Sequence, residues 1–323
     1  YALPAPAQET RKVHLVRING AIGVGTEALV GGALENANAK AAALVILEVD
    51  TPGGLVASTR KIIKSMLTSN VPIAVHVAPS GARAASAGTY IAYAAHAVAM
   101  APGTHIGAAT PIQMGPPGLP GSRPNREGKD DNKGGDTAGA ANKKMINDAV
   151  AYLRSLAELR GRNPDWAERF VRDAATLTAS EALKEGVIDV IAKDTGELID
   201  RLDGRTVTTS SGPQTLALKG LGVEVFEPGW KVKFLSAITD PNIAFILLLI
   251  GIYGIFFEFW SPGLTGPGVI GAISLIIGLY ALSALPISYA GLALLLLGMA
   301  LMVAEALAPG IGILGIGGVI AFI

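Results

Sequence analysis

The residues best suited to chemistry fall in two short segments. In Asp50-Thr51-Pro52-Gly53-Gly54 paired glycines follow an apolar run, and glycines free the main chain to aim N–H groups at an anionic ligand. In Ser86-Ala87-Gly88-Thr89-Tyr90 a serine stands where a helical pattern begins, a position that suits a nucleophile and equally a helix cap. A serine hydroxyl attacks a carbonyl only when a base removes its proton, and the oxyanion that forms needs two aimed donors. His76, His96 and His105 are the histidines nearest Ser86 in sequence, so a Ser-His-Asp triad competes with other bases. Ala84-Ala85-Ser86-Ala87-Gly88 lacks the first glycine of a hydrolase nucleophile elbow, which argues against a lipase-type esterase. The chain has no cysteine, which excludes a thiol nucleophile, a disulfide framework and a thiolate metal site. It shows neither a metal-ligand cluster nor a phosphate-cradling loop with lysine, so no metal or cofactor is expected.

Both segments follow β-branched runs. Residues 13–18, 44–49, 73–77 and 97–100 read as buried strands, with helices over 27–40, 56–68 and 86–95 between them. The alternation predicts an α/β fold with a mostly parallel sheet covered by helices. In such a sheet both segments lie at carboxyl ends of strands, where α/β ligand sites form, and they can face each other. Residues 111–142 hold seven glycines and five prolines and cannot build a core; they are expected to be a disordered loop or an active-site lid. A helix from Lys143 to about Gly161 carries Ile146, Ala149, Val150 and Leu153 at helical spacing. Two helical pieces (164–172, 180–185), a strand (187–191) and a hairpin around Ser211-Gly212 leading to the next domain complete this part, in which no internal repeat stands out.

The remainder is a membrane domain. Half of the 323 residues are hydrophobic and 16% are charged, and all 26 basic residues precede position 234. From Pro241 to Ile323 only Glu258 and Glu305 are charged. Residues 243–260, 268–285 and 287–307 are long enough to cross a bilayer, and 309–323 is expected to begin a fourth span that the chain leaves unfinished. Phe256, Phe257, Phe259 and Trp260 close the first span as an aromatic belt, and the two glutamates near span ends read as interfacial carboxylates. The expected division is therefore a soluble domain over 1–230 and three to four spans over 231–323. The 26 basic and 26 acidic residues balance, against a nucleic-acid partner. Ala2-Leu3-Pro4-Ala5-Pro6-Ala7 is similar to the residues around a signal-peptidase cut, which places the soluble domain outside the cytoplasm (periplasmic). Lys231 and Lys233 before the first span pull the other way.

These features together resemble the ClpP-class serine proteases, and within them the membrane-bound NfeD type related to signal peptide peptidase A. The likeness runs over roughly residues 13–193 through Asp-Thr-Pro-Gly-Gly, Ser86-Ala87-Gly88-Thr89-Tyr90, Ala101-Pro102-Gly103-Thr104, Ser155-Leu156-Ala157, Gly161-Arg162-Asn163, Leu177-Thr178, Glu181-Ala182-Leu183 and Gly186-Val187-Ile188-Asp189, and continues in the multi-span tail. It implies a ClpP/crotonase-like soluble domain and a Ser/Lys dyad. Ser86 maps onto the nucleophile and Lys144 onto the base, with neighbouring Lys143 taking that role if the helix starts differently; Gly54 and Ala87 map onto the oxyanion N–H groups. Where the cytoplasmic branch has its triad histidine, Ile106-Gly107-Ala108-Ala109-Thr110 has none, and His105 lies early. A lysine, with an ordinary pKa of about 10.4, serves as base when burial and a helix start favour its neutral amine. The resemblance further implies a serine endopeptidase that cuts apolar segments, a stomatin/prohibitin-type membrane partner and homo-oligomers of at least two chains. Two other readings stand beside it: a non-catalytic membrane scaffold for a stomatin-type protein, and an acyl-CoA enzyme of the crotonase architecture, which sits poorly with Ser86 and the membrane tail.

Overall fold

The computed structural model describes residues 11–112, 136–238, 241–260, 266–283 and 312–322, together with helical positions within 294–305 that include Gly298 and Glu305. Residues 2–7, most of the expected 111–142 loop and the break near Pro286 lie outside the described residues. The chain divides into two units, one formed by 1–111 with 139–240 and the other by the rest.

The soluble unit is built on a six-stranded sheet. Its strands are β1 (Val13–Asn19), β2 (Leu44–Asp50), β3 (Ile73–Val77), β5 (Ala97–Met100), β8 (Val190–Ile191) and β11 (Val223–Val225), in the order β11-β1-β2-β3-β5-β8. Every neighbouring pair is parallel, as strands linked by helical crossovers require. Alternate residues of each strand feed opposite layers: Val45, Leu47 and Val49 join one core with Val16 and Ile18, while Leu44 and Ile46 join the other with Val13 and Leu15. Burial on both faces explains the unbroken apolar runs. The crossovers are α1 (Val24–Ala39), α2 (Val56–Leu67) and α3 (Ala87–Ala94).

Beyond the expected elements, β4 (Arg83–Ala85), β6 (His105–Gly107) and β7 (Thr176–Thr178) form a small second sheet, parallel then antiparallel. At three residues each they are too short to show a period in the sequence. Helix α4 spans Asp136–Arg160, so it begins inside the stretch read as loop; α5 (Pro164–Arg172), α6 (Ala179–Lys184) and α7 (Thr195–Leu202) follow. The hairpin is β9 (Thr206–Thr209) with β10 (Gly212–Thr215). The chain then returns to the sheet as β11 before α8 (Trp230–Ile238).

In the second unit, α9 (Pro241–Trp260) and α10 (Gly266–Ser283) pack closely. A Cβ on Gly254 would lie 2.8 Å from the Gly271 Cα, the close backbone approach that small residues permit between membrane helices. Among the described residues one helix, Asn242–Trp260, is long and apolar enough by itself to cross a bilayer, and Gly266–Leu282 is a shorter apolar helix.

Candidate active site

The Asp50–Gly54 turn leaves the carboxyl end of β2 and is held from two sides. The Thr51 N–H donates to Arg83 O (2.8 Å), the Ala85 N–H to Thr51 O (3.1 Å), and the Arg83 N–H to Asp50 Oδ1 (3.1 Å), which lays β4 along the turn. On the other side the Ile22 N–H donates to Gly53 O and the Leu55 N–H to Ile22 O, both at 2.8 Å. Because Ile22 engages Gly53 and Leu55, the N–H of Gly54 points away from it. A Cβ on Gly54 would lie 2.1 Å from Ile22 O, so only glycine fits there.

Ser86 connects β4 to α3 with φ 50° and ψ −114°, a conformation that side-chain-bearing residues rarely adopt and that costs on the order of 1–3 kcal/mol. Its surroundings hold it in place. The Ser86 N–H donates to Gly107 O (3.0 Å) and Ser86 O accepts from the Thr89 N–H (2.9 Å). The buried Thr89 hydroxyl lies 2.9 Å from both Ala84 O and Gly107 O, which links the strand before Ser86 to the strand beside it. Gly107 has φ +136°, and a Cβ there would lie 2.2 Å from Ala175 O. Gly88 lets α3 approach the turn, since a Cβ there would come 2.6 Å from Thr51 Cγ2. Thr89, Gly107 and Gly88 were invisible as site residues in sequence; only their place next to Ser86 or at the end of β6 hinted at them.

The two segments meet as expected. Gly53 has φ +121°, and a Cβ built on it would lie 2.6 Å from Ser86 Cβ and 3.1 Å from Ser86 Oγ. The Ser86 side chain makes no cap hydrogen bond to α3, so it does not serve as a helix cap. Among the described residues neither Gly54 N–H nor Ala87 N–H has a backbone acceptor outside the helix ladder, and Ala87 opens α3, where helix N–H groups lack partners. A half-buried hydroxyl on a strained turn, beside main-chain donors at the carboxyl ends of β2 and β4, is an arrangement able to attack an acyl carbon and hold its oxyanion.

Lys144 lies in the amino-terminal part of α4, exposed to solvent like Lys143. Two contacts set the level of that helix. The Tyr90 hydroxyl approaches Ala149 O (3.5 Å), and Arg60 of α2 pairs with Asp148 (2.5 Å). Among the described residues no hydrogen bond joins Lys144 to Ser86, and the Lys144 side chain is exposed rather than enclosed. In α4 Ile146 is the first residue packed against the core, and full burial starts at Ala149.

Two of the three histidines serve the core. His96 Nδ1 accepts the Ile73 N–H (3.0 Å), and burial, aided by Arg160, pushes its pKa down to about 3. His76 Nε2 lies 2.9 Å from Ala192 O, and burial lowers it as well. His105 is exposed on β6, in register with Arg83 and Thr178. None of the three is hydrogen-bonded to Ser86. Among the described residues no group of acidic or histidine side chains could hold a metal ion.

The sequence matches the NfeD integral membrane domain over residues 242–323 and the N-terminal domain of NfeD1b over residues 12–117. It is 38% identical over 291 residues to the membrane-bound protease PH1510 of Pyrococcus horikoshii, across 90% of this chain and 62% of that protein. It is 28% identical over 329 residues to the membrane protein NfeD1b of Bacillus subtilis, across 97% of this chain and 66% of that one. The chain therefore spans a little under two thirds of either relative. Among solved structures it is similar to the 1510-N membrane-bound stomatin-specific protease, in a lysine-to-alanine variant complexed with a substrate peptide: TM-score 0.62 and 34% identity, covering 72% of this chain and 99% of that chain. A serine-to-alanine variant of the 1510-N protease gives TM-score 0.60 and 33% identity, covering 68% of this chain and 99% of that one.

Proposed function

The chain belongs to the NfeD family of membrane proteins, with a ClpP-like soluble domain, and we propose that it is a membrane-anchored serine endopeptidase. Ser86 is the nucleophile, Lys144 the general base, and the Gly54 and Ala87 N–H groups form the oxyanion hole. The observation that carries the reading is the seating of Ser86 against Gly53 in a strained turn, its hydroxyl committed to no cap.

In the reaction the neutral Lys144 amine takes the Ser86 proton as Oγ attacks the scissile carbonyl. The oxyanion sits on the Gly54 and Ala87 donors, where loss of one such donor typically costs about 3 kcal/mol. The ammonium then protonates the leaving amine, and the freed amine activates the water that releases the acyl group. Because Lys144 is exposed in the described chain, the amine loses its water only when an apolar substrate segment or a second subunit covers it. That requirement favours apolar substrates, and the similarity to a stomatin-specific protease supports a stomatin-type membrane protein as partner and substrate. The same reading includes a homo-oligomer and an extracytoplasmic soluble domain.

The exposure of Lys144 also favours a second reading, a scaffold whose lysine stays protonated. Purified full-length protein, treated with a serine-directed phosphonate and with an apolar peptide, separates the two. The protease reading expects labelling and cleavage by wild type, neither by Ser86→Ala, loss of both by about 100-fold or more in Lys144→Ala, and near-normal rates in Lys143→Ala. Cleavage at wild-type rate by Ser86→Ala or Lys144→Ala overturns it.

A further inference from the structure

Residues 241–323 carry two acids and no bases, and both acids occupy the same place in a repeated pattern. Gly251, Glu258, Pro262, Gly263, Gly268 and Gly271 recur 47 positions later as Gly298, Glu305, Pro309, Gly310, Gly315 and Gly318, so that Glu-x3-Pro-Gly-x4-Gly-x2-Gly occurs twice. The geometry repeats with the letters. Glu258 Oε2 accepts the Gly268 N–H (3.3 Å), and Glu305 Oε2 accepts the N–H of Gly315 (3.2 Å) and of Leu314 (3.1 Å), while its Oε1 accepts that of Gly312 (3.2 Å). Gly268 and Gly315 are the same position of the repeat. A Cβ on Gly271 would lie 3.0 Å from Gly251 O, and a Cβ on Gly318 would lie 2.8 Å from Gly298 O, again one pair seen twice.

We infer that the membrane domain is a tandem duplication of one helical hairpin, in which Glu258 and Glu305 do the same job: each closes its hairpin by accepting the unpaired N–H groups at the start of the returning helix, and both lie at the same face of the bilayer. The chemistry demands such a partner. The first N–H groups of a helix have no acceptor within it, and in hydrocarbon no water supplies one. A carboxylate from the preceding helix supplies it with the charge sign that a helix start favours. Ordinary interfacial carboxylates would have no reason to recur at a fixed spacing with the same glycine partner.

The duplication fixes a topology. Each copy crosses out and returns, so Glu258 and Glu305 are both reached by an odd number of crossings from the soluble domain. Both lie on the face away from it, while the junction between the copies lies on its own face.

The absence of cysteine makes the test direct. Ser261→Cys, Ala308→Cys and Ser288→Cys are introduced singly into the full chain, with Ser210→Cys as the soluble-domain marker, and oriented proteoliposomes are treated with a membrane-impermeant maleimide. Labelling of 261 and 308 from one side, and of 288 and 210 from the other, is expected. Labelling of 261 and 308 from opposite sides, or of either from the side of 210, overturns the inference. A second measurement addresses the carboxylates: Glu258→Gln and Glu305→Gln keep one acceptor oxygen and are expected to melt in detergent closer to wild type than the two alanine variants, with the same ranking in both copies. Alanine variants as stable as wild type would overturn the assigned role. Neither readout depends on protease activity, so failure here is separable from failure of the Ser86 reading.

Discussion

Gly53 and Ser86 are in van der Waals contact across the turn that joins β2 to α2, at a separation that leaves no space for a side chain on the glycine. The position of Ser86 is therefore set by a residue that offers no functional group. Gly53→Ala is expected to displace Ser86, and since misplacement by about 1 Å can cost 10²-fold, phosphonate labelling should slow by about that factor while the protein still folds. Labelling at wild-type rate would mean that the turn does not set the serine.

Gly54→Ala tests a different wall. Its methyl group would meet the Ile22 carbonyl, which is main chain and cannot swing aside. The expected outcome is a large fall in melting temperature, with the loss of activity secondary to it, measured by thermal melts of the full chain in detergent.

Thr89→Val keeps the shape but removes the hydroxyl shared between Ala84 O and Gly107 O. Unsatisfied buried polar groups cost about 1–3 kcal/mol each, so the melting temperature should fall. Ser86 labelling should slow as well, because the same hydroxyl steadies the strained turn; a variant that loses stability alone would confine Thr89 to the core.

Arg60 pairs with Asp148, and its guanidinium lies 4.6 Å from the Tyr152 ring centre; Tyr152 in turn stacks on Tyr90 at 6.0 Å. These contacts tie the helix bearing Lys144 to the helices beside Ser86. An exposed ion pair is worth about 0–1 kcal/mol, so Arg60→Ala should change stability little. If Lys144 is the base, cleavage should fall while KM stays near its wild-type value; an unchanged rate would detach this cluster from catalysis.

Acid should destabilise the soluble domain through its buried histidines. His96, lowered by burial to about 3 from 6.5, holds no proton in the fold over a range where the unfolded chain does. Stability is thus complete above about pH 6.5 and is lost as pH falls toward 3. Burial lowers His14 and His76 in the same direction. Melting temperature recorded against pH should drop below 6.5, and His96→Asn, whose side-chain oxygen can accept the Ile73 N–H, should flatten part of that drop; an unchanged slope would remove His96 from the balance.

The long parallel strands were legible because burial on both faces writes itself as continuous apolar runs, and the two candidate segments because a glycine pair and a serine punctuate those runs. The three-residue strands around Ser86 were not, since pairing rather than pattern makes them strands. Asp136–Asn142 read as loop because the apolar stripe of α4, which packs on the core from Ile146 onward, does not extend into its first turns. The position of Ser86 followed from its place after the strand 73–77 and at the start of the helix over 86–95; the exposure of Lys144 did not, because periodicity marks one face of α4 and does not say how deeply its first turns are covered.

The strand β11 has a consequence for biogenesis. The sheet of the soluble domain is finished by residues 223–225, fastened to β1 and by Glu224 to Lys12 and Lys40, only 16 residues before Pro241, where the first membrane helix begins. Until that late segment leaves the ribosome, β1 is an open edge able to pair with any passing strand. The domain closes its last seam just as the following helix is handed to the bilayer, so anchoring and completion of the soluble domain are nearly a single event in the life of the nascent chain.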